Sequence, residues 1–413
     1  MPTESHQTII IGAGLSGLAC ALHLQEHGHP ALLLEKSDAP GGRIRTERVE
    51  GFLLDRGFQV YLDAYPTAGR LLDLPALNLK KFEPGALLFS GQKQHRIMDV
   101  FRRPQHLFSS LIAPAGTLAD KAKVALLRQR CLTTAIEDIE NHEEQSTEEF
   151  LRQFGFSENI LSTFFRSFYG GIFLERELQT SSKMFEFTFK MFAKGAATLP
   201  ARGMEEIPRQ LAARLPADGI RCNTGVKAIT QNQVTLSDNT VLEAENIVLA
   251  LPPNAAASLV PALEIPIPQW RSTTTLYFKA PQSPLNGEPI LALAGKNEGL
   301  VNHVCVPSDL SPEYAPEGQS LISVSLLGLP PEEKLIESVT SELTEWFGPQ
   351  VDKWQHLRTH RISEGLPEQL PDRSSSPLLA SPPFYLCGDY QTSASIEGAI
   401  QSGQNAAREL LKG

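Results

Sequence analysis

Hydrophobic and polar positions change period several times along the chain, and each change marks an element. A β-branched apolar run at Thr8–Ile11 breaks at Gly12. Helical spacing follows over Leu18–His27 and is closed by Gly28; a second apolar run occupies Ala31–Glu35. Strand, glycine turn, helix and strand within about 30 residues predict a βαβ unit. Residues 40–75 are rich in Gly, Asp and aromatics and read as strand and loop. Between 100 and 195 the prolines thin out, and Leu118–Thr134, Thr147–Phe154, Glu158–Phe168 and Thr180–Ala193 carry helical spacing. Phe is dense in these helices, at 154, 156, 164, 165, 168, 173, 185, 187, 189 and 192. Such density fits either an ordinary helical core or a greasy substrate cavity, and the two can coexist. From Met204 to Pro253 the pattern returns to α/β, with the helix Glu205–Leu215 and a buried-type strand at Ile247–Leu251. Further strands are predicted at Ser272–Lys279 and Ser320–Leu327 and a helix at Glu332–Phe347. A proline-rich loop follows at Glu364–Pro383, then a short strand at Tyr385–Cys387 and a terminal helix at Ile396–Leu411.

Composition narrows the function classes without naming one. The 413 residues allow two to three domains, at about 150 residues each. A formal net charge of −10 argues against a nucleic-acid partner, which calls for a basic face. The five cysteines, at 20, 131, 222, 305 and 387, are odd in number and widely spaced, with no CxxC. Reduced thiols and a cytoplasmic setting are expected, with neither a disulfide framework nor a metal site. No run of about 18 apolar residues occurs, so no membrane span is expected. The N-terminus lacks the charged segment and apolar stretch of a signal peptide.

The first chemistry lies at Gly12-Ala-Gly14-Leu15-Ser16-Gly17, a GxGxxG fingerprint between strand and helix. Its first glycine allows a tight turn, its second lets the backbone approach a pyrophosphate, and its third lets helix pack on strand. The helix N-terminus then offers free N–H groups and the positive end of its dipole. Glu35, with Lys36 behind it, closes the second strand where an acidic group accepts hydrogen bonds from ribose hydroxyls. An acid there disfavours a 2′-phosphate, which leaves FAD or NAD.

Gly41-Gly42-Arg43-Ile44-Arg45-Thr46 resembles the GGRxxT motif of the flavoprotein family that includes amine oxidases, protoporphyrinogen oxidases and carotenoid desaturases. Two glycines permit close passage by the cofactor, and the arginine fork suits phosphate oxygens. Gly388-Asp389-Tyr390 and Ser395-Ile396-Glu397-Gly398-Ala399 resemble the family's closing signature. There the aspartate accepts ribityl hydroxyls and the helix start meets the flavin's pyrimidine edge. Pro200–Met204 is similar to the family's central segment, with Arg202 in place of a glycine, and Val226 matches the strand that meets the adenine end. The resemblance implies non-covalent FAD. It also implies an α/β fold, a Rossmann-type, glutathione-reductase-like FAD-binding domain with an interleaved α+β substrate domain. The FAD domain is expected at 1–75, 196–255 and 345–413, and the substrate domain at 76–195 and 256–344.

Within the family, Gly57-Phe58-Gln59-Val60-Tyr61-Leu62-Asp63-Ala64-Tyr65-Pro66 is most similar to the phytoene-desaturase-like branch. Gln59 stands where a histidine is common. Where amine oxidases carry a lysine on a substrate-domain strand, this chain has Thr273. The resemblance therefore implies hydride transfer from a lipophilic, isoprenoid or carotenoid-like substrate to FAD, with a quinone or oxygen as electron acceptor. Amine or protoporphyrinogen oxidation and reduced-FAD isomerisation are the alternatives. By motif position, Arg56, Gln59, Tyr61 and Tyr390 are the candidate catalytic groups, and Gly57 and Phe58 border the flavin. Glu397 also suits a structural task at its helix start. A lipid substrate makes peripheral membrane contact an expectation, for which Lys121–Arg130 offers a basic helix.

Overall fold

In the computed structural model, residues 4–295, 299–371 and 382–412 are described. The βαβ unit forms as strand β1 (Glu4–Ile11), helix α1 (Leu15–Glu26) and strand β2 (Leu32–Leu34). β2 is buried along its whole length, as an apolar run inside a parallel sheet must be. The sheet runs Ile220–Arg221, β2, β1, Val241–Leu249, Gln233–Leu236, Val226–Ile229, and Phe384–Leu386 pairs alongside Val241–Leu249. β1, β2, Ile220–Arg221, Val241–Leu249 and Phe384–Leu386 are mutually parallel; the other two strands form an antiparallel flap. Helix α1 is buried on most of its surface because the C-terminal helix Ile396–Leu410 packs on the side away from the sheet. That crossing is close. A β-carbon on Gly403 would stand 2.1 Å from the Ser16 carbonyl oxygen.

The second sheet has seven strands in the order Gln355–Pro367, Trp270–Ala280, Ser320–Leu327, Val301–Cys305, Leu291–Ala294, Gly85–Ser90, Lys93–Met98. One face packs on helix Leu335–Phe347 through Leu276, Val304, Val324, Val339 and Leu343. The other faces the first domain and the Phe-rich helices. The domain boundary expected at 345 needs correction. Gln355–Pro367 pairs with Trp270–Ala280 over most of its length, so the chain stays with the second sheet past that point and returns to the first at Phe384–Leu386. The loop expected at Glu364–Pro383 begins later, and its residues 372–381 lie outside the described residues.

The helix expected at Glu158–Phe168 extends further. It comprises Glu158–Ile160, a π-helical stretch at Leu161–Phe165, and Arg166–Phe173. An inserted π turn shifts the helical register. Within it, Phe165 is fully buried in the helical core, while Phe164 stacks on Phe168 of the next turn at 5.4 Å and both line a cavity. The two readings of the Phe-rich stretch therefore coexist. Phe150, Phe156, Phe165, Phe173 and Phe185 are core, and Phe164, Phe168, Phe189 and Phe192 are cavity wall.

Candidate active site

One cavity of about 1690 Å³ runs from the βαβ turn to the Phe-rich helices. Sites for one small molecule seldom exceed about 1,000 Å³, so this volume suits a dinucleotide and a second ligand together. At the first end, Gly12 has φ +103°, and a β-carbon on Gly17 would lie 2.0 Å from the Gly12 carbonyl oxygen. Both glycines are needed to bring the helix start against the strand. The first intrahelical bond of the unit runs from Leu18 N–H to the Gly14 carbonyl, which leaves the N–H groups of the first turn for another acceptor. A β-carbon on Gly14 would meet nothing within 4 Å, because it would project into the cavity.

Glu35 is buried and lines the cavity. Its Oε2 accepts from Ala13 N–H at 2.8 Å, and its Oε1 accepts from the Ser37 N–H at 2.9 Å and hydroxyl at 2.5 Å. A carboxylate has about four acceptor positions, so one remains for a ribose hydroxyl. Gly12, Gly14, Leu15, Ser16, Lys36, Gly41, Gly42, Arg43, Gly57, Phe58, Val226, Gly388, Asp389, Ser395, Ile396 and Ala399 line the same cavity. Three separated stretches of sequence thus surround one space long enough for an extended dinucleotide. The donors, the acidic acceptor and the open glycine cradle fit FAD.

The sequence profile of the family described as flavin containing amine oxidoreductase matches residues 15–411. The chain belongs to the flavin containing amine oxidoreductase family. Among curated relatives, a 15-cis-phytoene desaturase of Capsicum annuum is 22% identical over 468 residues, spanning 100% of this chain and 78% of that protein. Hydroxysqualene dehydroxylase of Sinorhizobium fredii is 29% identical over 168 residues, 39% of this chain and 37% of that protein. Among solved structures, a protein described only provisionally as a protoporphyrinogen oxidase, from Exiguobacterium sp. 255-15, has a TM-score of 0.77 at 18% identity over 100% of both chains. As a member of this family, the protein is an FAD-dependent oxidoreductase.

Several residues sit differently from their sequence assignments. Arg43 is not directed along the phosphate-binding turn. Its Nη2 pairs with Asp389 Oδ1 at 2.5 Å, its Nη1 donates to the Gly365 carbonyl at 2.9 Å, and it lies 5.6 Å from the Trp270 ring centre. The buried Asp389 carboxylate is its nearest counter-charge, so two residues each assigned to the cofactor hold one another across the cavity. Glu397 is a correction. Its two oxygens accept from Thr67 N–H at 2.7 Å and Ala68 N–H at 2.8 Å, capping helix Pro66–Leu71, and it is not part of the cavity wall. Gly17 keeps the packing task of the motif's third glycine, helix against strand, and does not itself reach the cavity. Tyr61 is the clearest correction among the candidate catalytic groups. The short strand Tyr61–Leu62 turns Leu62 to the cavity and Tyr61 into the core, edge-on to Tyr65 at 5.7 Å.

Arg56, Gln59 and Tyr390 do reach the cavity. Arg56 donates to Glu47 at 3.3 Å. Gln59 donates from Nε2 to the Arg43 carbonyl at 3.2 Å, and its buried Oε1 has no partner among the described residues. Cys387 is fully buried, with its thiol pushed up to about 12 by burial, as a packed residue rather than a flavin attachment point. Sequence reasoning missed Trp270, His303 and Ser325, all of which line the cavity. The only signal for His303 was a polar pair, Asn302-His303, inside an otherwise apolar strand.

Proposed function

We propose that this flavoprotein dehydrogenates a lipophilic, isoprenoid-type substrate, removing hydride from one carbon and a proton from its neighbour to create a double bond. The observation that carries this reading is the continuity of the cavity. From Phe58 it passes between Phe164, Phe168, Phe189 and Phe192 and opens among Phe101, Leu107, Leu111 and Leu118, which are themselves exposed. Such a passage accepts a long apolar chain and excludes water from its inner end. Gly12, Gly14, Leu15, Ser16, Glu35, Gly41, Gly42, Val226, Gly388, Asp389, Ser395, Ile396 and Ala399 would hold FAD. When bound, it supplies the two-electron acceptor for the hydride. The protein's own part is to orient the chain against the inner end of the cavity. Gln59 Oε1 is a buried acceptor available to a ligand there. A quinone or oxygen is the acceptor class proposed to take the electrons onward.

The test is anaerobic mixing of the FAD-loaded protein with isoprenoids, amines and protoporphyrinogen. Bleaching of the flavin band by isoprenoids alone is the expected result. Rapid bleaching by an amine would overturn the reading.

We also propose that the substrate enters from a lipid surface. No helix among the described residues is long and apolar enough to cross a membrane. At the cavity mouth, however, Phe108 is 75% exposed and Ile112 66%, on the helix Leu107–Ile112, beside Leu118 and Leu126. Clustered exposed side chains of this size mark an interaction surface. The basic groups of the helix Lys121–Arg130 are turned to partners within the protein. Lys121 donates to the Leu111 and Ala113 carbonyls, Lys123 to that of Gly155, Arg128 pairs with Asp99, and Arg130 with Glu186. Contact therefore falls to the apolar helix. The Phe108→Asp/Ile112→Asp double variant should bind mixed phosphatidylcholine–phosphatidylglycerol vesicles about 10-fold more weakly in co-sedimentation, with FAD content unchanged. Equal vesicle binding would refute lipid entry by this route.

A further inference from the structure

The wall of the cavity formed by the second sheet is not uniformly apolar. In the strands Trp270–Ala280, Ser320–Leu327 and Val301–Cys305, the register sets Thr275 beside Ser325 and Ser325 beside His303. All three are buried. Thr275 Oγ1, Ser325 Oγ and His303 Nε2 each lack a hydrogen-bond partner among the described residues. His303 and Ser325 line the cavity directly, next to Thr273 and Leu327. A buried polar atom without a partner costs about 1–3 kcal/mol, so the two on the cavity wall call for a ligand that meets them.

The chemistry of that ligand follows from the bonding of His303. Asn302 donates its side-chain amide N–H to the Ser167 carbonyl at 3.2 Å, and the same nitrogen lies 3.1 Å from His303 Nδ1. The bond to a carbonyl fixes that nitrogen as the donor end of the amide, so Nδ1 is the acceptor and the ring proton sits on Nε2. Burial depresses the ring to about 3, which keeps it neutral at physiological pH. Nε2–H is therefore an uncharged donor without a partner on a side chain of the cavity wall, and the Phe58 ring stands edge-on to the imidazole at 4.6 Å between ring centres. Serine beside it can donate or accept.

Resting on the lipid-dehydrogenase reading above, we propose that the substrate is an oxygen-bearing lipid whose hydroxyl or carbonyl oxygen accepts a hydrogen bond from His303 and exchanges one with Ser325. A pure hydrocarbon leaves both groups unpaired and is discriminated against for that reason. The oxygen fixes how far the chain slides into the cavity and so which carbon meets the inner end. His303 is a positioning residue in this scheme and takes no proton.

The experiment titrates the FAD-loaded protein, without oxygen, with three probes matched in length. These are farnesol, the aldehyde farnesal and the hydrocarbon 2,6,10-trimethyldodeca-2,6,10-triene, with binding read from the perturbed flavin absorbance. One or both oxygenated probes should bind about 10-fold or more tightly than the hydrocarbon, as one to two neutral hydrogen bonds imply. Which of them does so separates hydroxyl from carbonyl recognition. His303→Leu should bring the ratio close to one by weakening the oxygenated probes, with hydrocarbon binding retained. His303→Gln, which keeps a donor, should restore part of the ratio and serves if the leucine variant fails to fold. A hydrocarbon that binds the wild type as tightly as the alcohol and aldehyde, or a ratio that survives His303→Leu, overturns the inference alone. If no probe binds and an amine bleaches the flavin, the reading beneath it falls as well.

Discussion

Gly14→Val is expected to give a folded, colourless protein whose FAD affinity is lower by about 100-fold or more, equivalent to about 2.7 kcal/mol. The reasoning separates two kinds of glycine within one motif. A side chain at Gly17 would strike the Gly12 carbonyl at 2.0 Å, and one at Gly12 would strike the Ala250 carbonyl at 2.5 Å. Substitution at either would disturb the strand–helix turn itself. Gly14 has φ −72° and ψ 179°, open to any residue, and its β-carbon would meet nothing within 4 Å. The isopropyl group of valine therefore costs the fold almost nothing and fills the space where the pyrophosphate must approach the first turn of α1. Flavin absorbance per protein reads the loss directly. Because FAD stabilises only the state that binds it, the melting temperature of the variant should match that of wild type stripped of FAD. A yellow Gly14→Val protein with full occupancy would mean the cofactor does not pass this turn.

Legibility in the sequence followed the range over which a residue's task is decided. Gly12, Gly17 and Glu35 act within a single βαβ unit, where strand, turn and helix fix each other locally, and they stand where the pattern placed them. Glu397 was harder. Its task is set by Thr67 and Ala68, residues more than 300 positions away, which no local period encodes. Tyr61 failed for a subtler reason. In the two-residue strand Tyr61–Leu62, neighbouring side chains take opposite faces, so with Leu62 at the cavity Tyr61 points the other way. The boundary at 345 was misplaced because the edge strand Gln355–Pro367 is only half-buried, and mixed burial carries little of the apolar run that marks an interior strand. His303 left only the Asn302-His303 pair as a signal, because the Ser167 carbonyl that orients Asn302 and the place of Ser325 beside His303 on the next strand are set by packing and sheet register.

Asp55→Ala is expected to destabilise the protein by about 3–5 kcal/mol, the cost of stripping the partner from several buried donors. Asp55 ends the hairpin Thr46–Val49/Phe52–Asp55 and ties the two halves of the molecule together. Its side chain accepts from Thr46 Oγ1 at 2.6 Å, Met204 N–H at 2.9 Å and Tyr314 O–H at 2.8 Å. Its backbone carbonyl accepts from Tyr277 O–H at 2.7 Å. Thr46 and Met204 belong to the cofactor side, Tyr277 and Tyr314 to the second sheet and its connections. Burial raises the carboxyl from 3.8 to about 6 in spite of these donors. The sign of the resulting pH effect follows from proton uptake. Between about pH 4 and pH 6 the folded protein keeps the Asp55 proton that the unfolded chain has released. The stability this group contributes is therefore greatest below about pH 4, falls as pH rises to about 6, and is level above it. Asp55→Asn, neutral at every pH and of the same shape, lacks that slope, since the Tyr314 hydroxyl can rotate to accept from the new amide. Urea unfolding of both proteins at pH 5 and pH 8 tests this. Wild type should gain on Asp55→Asn at pH 5 relative to pH 8, and a gap that widens toward pH 8 would show that Asp55 carries its charge in the folded state and that Thr46, Met204 and Tyr314 hold it there.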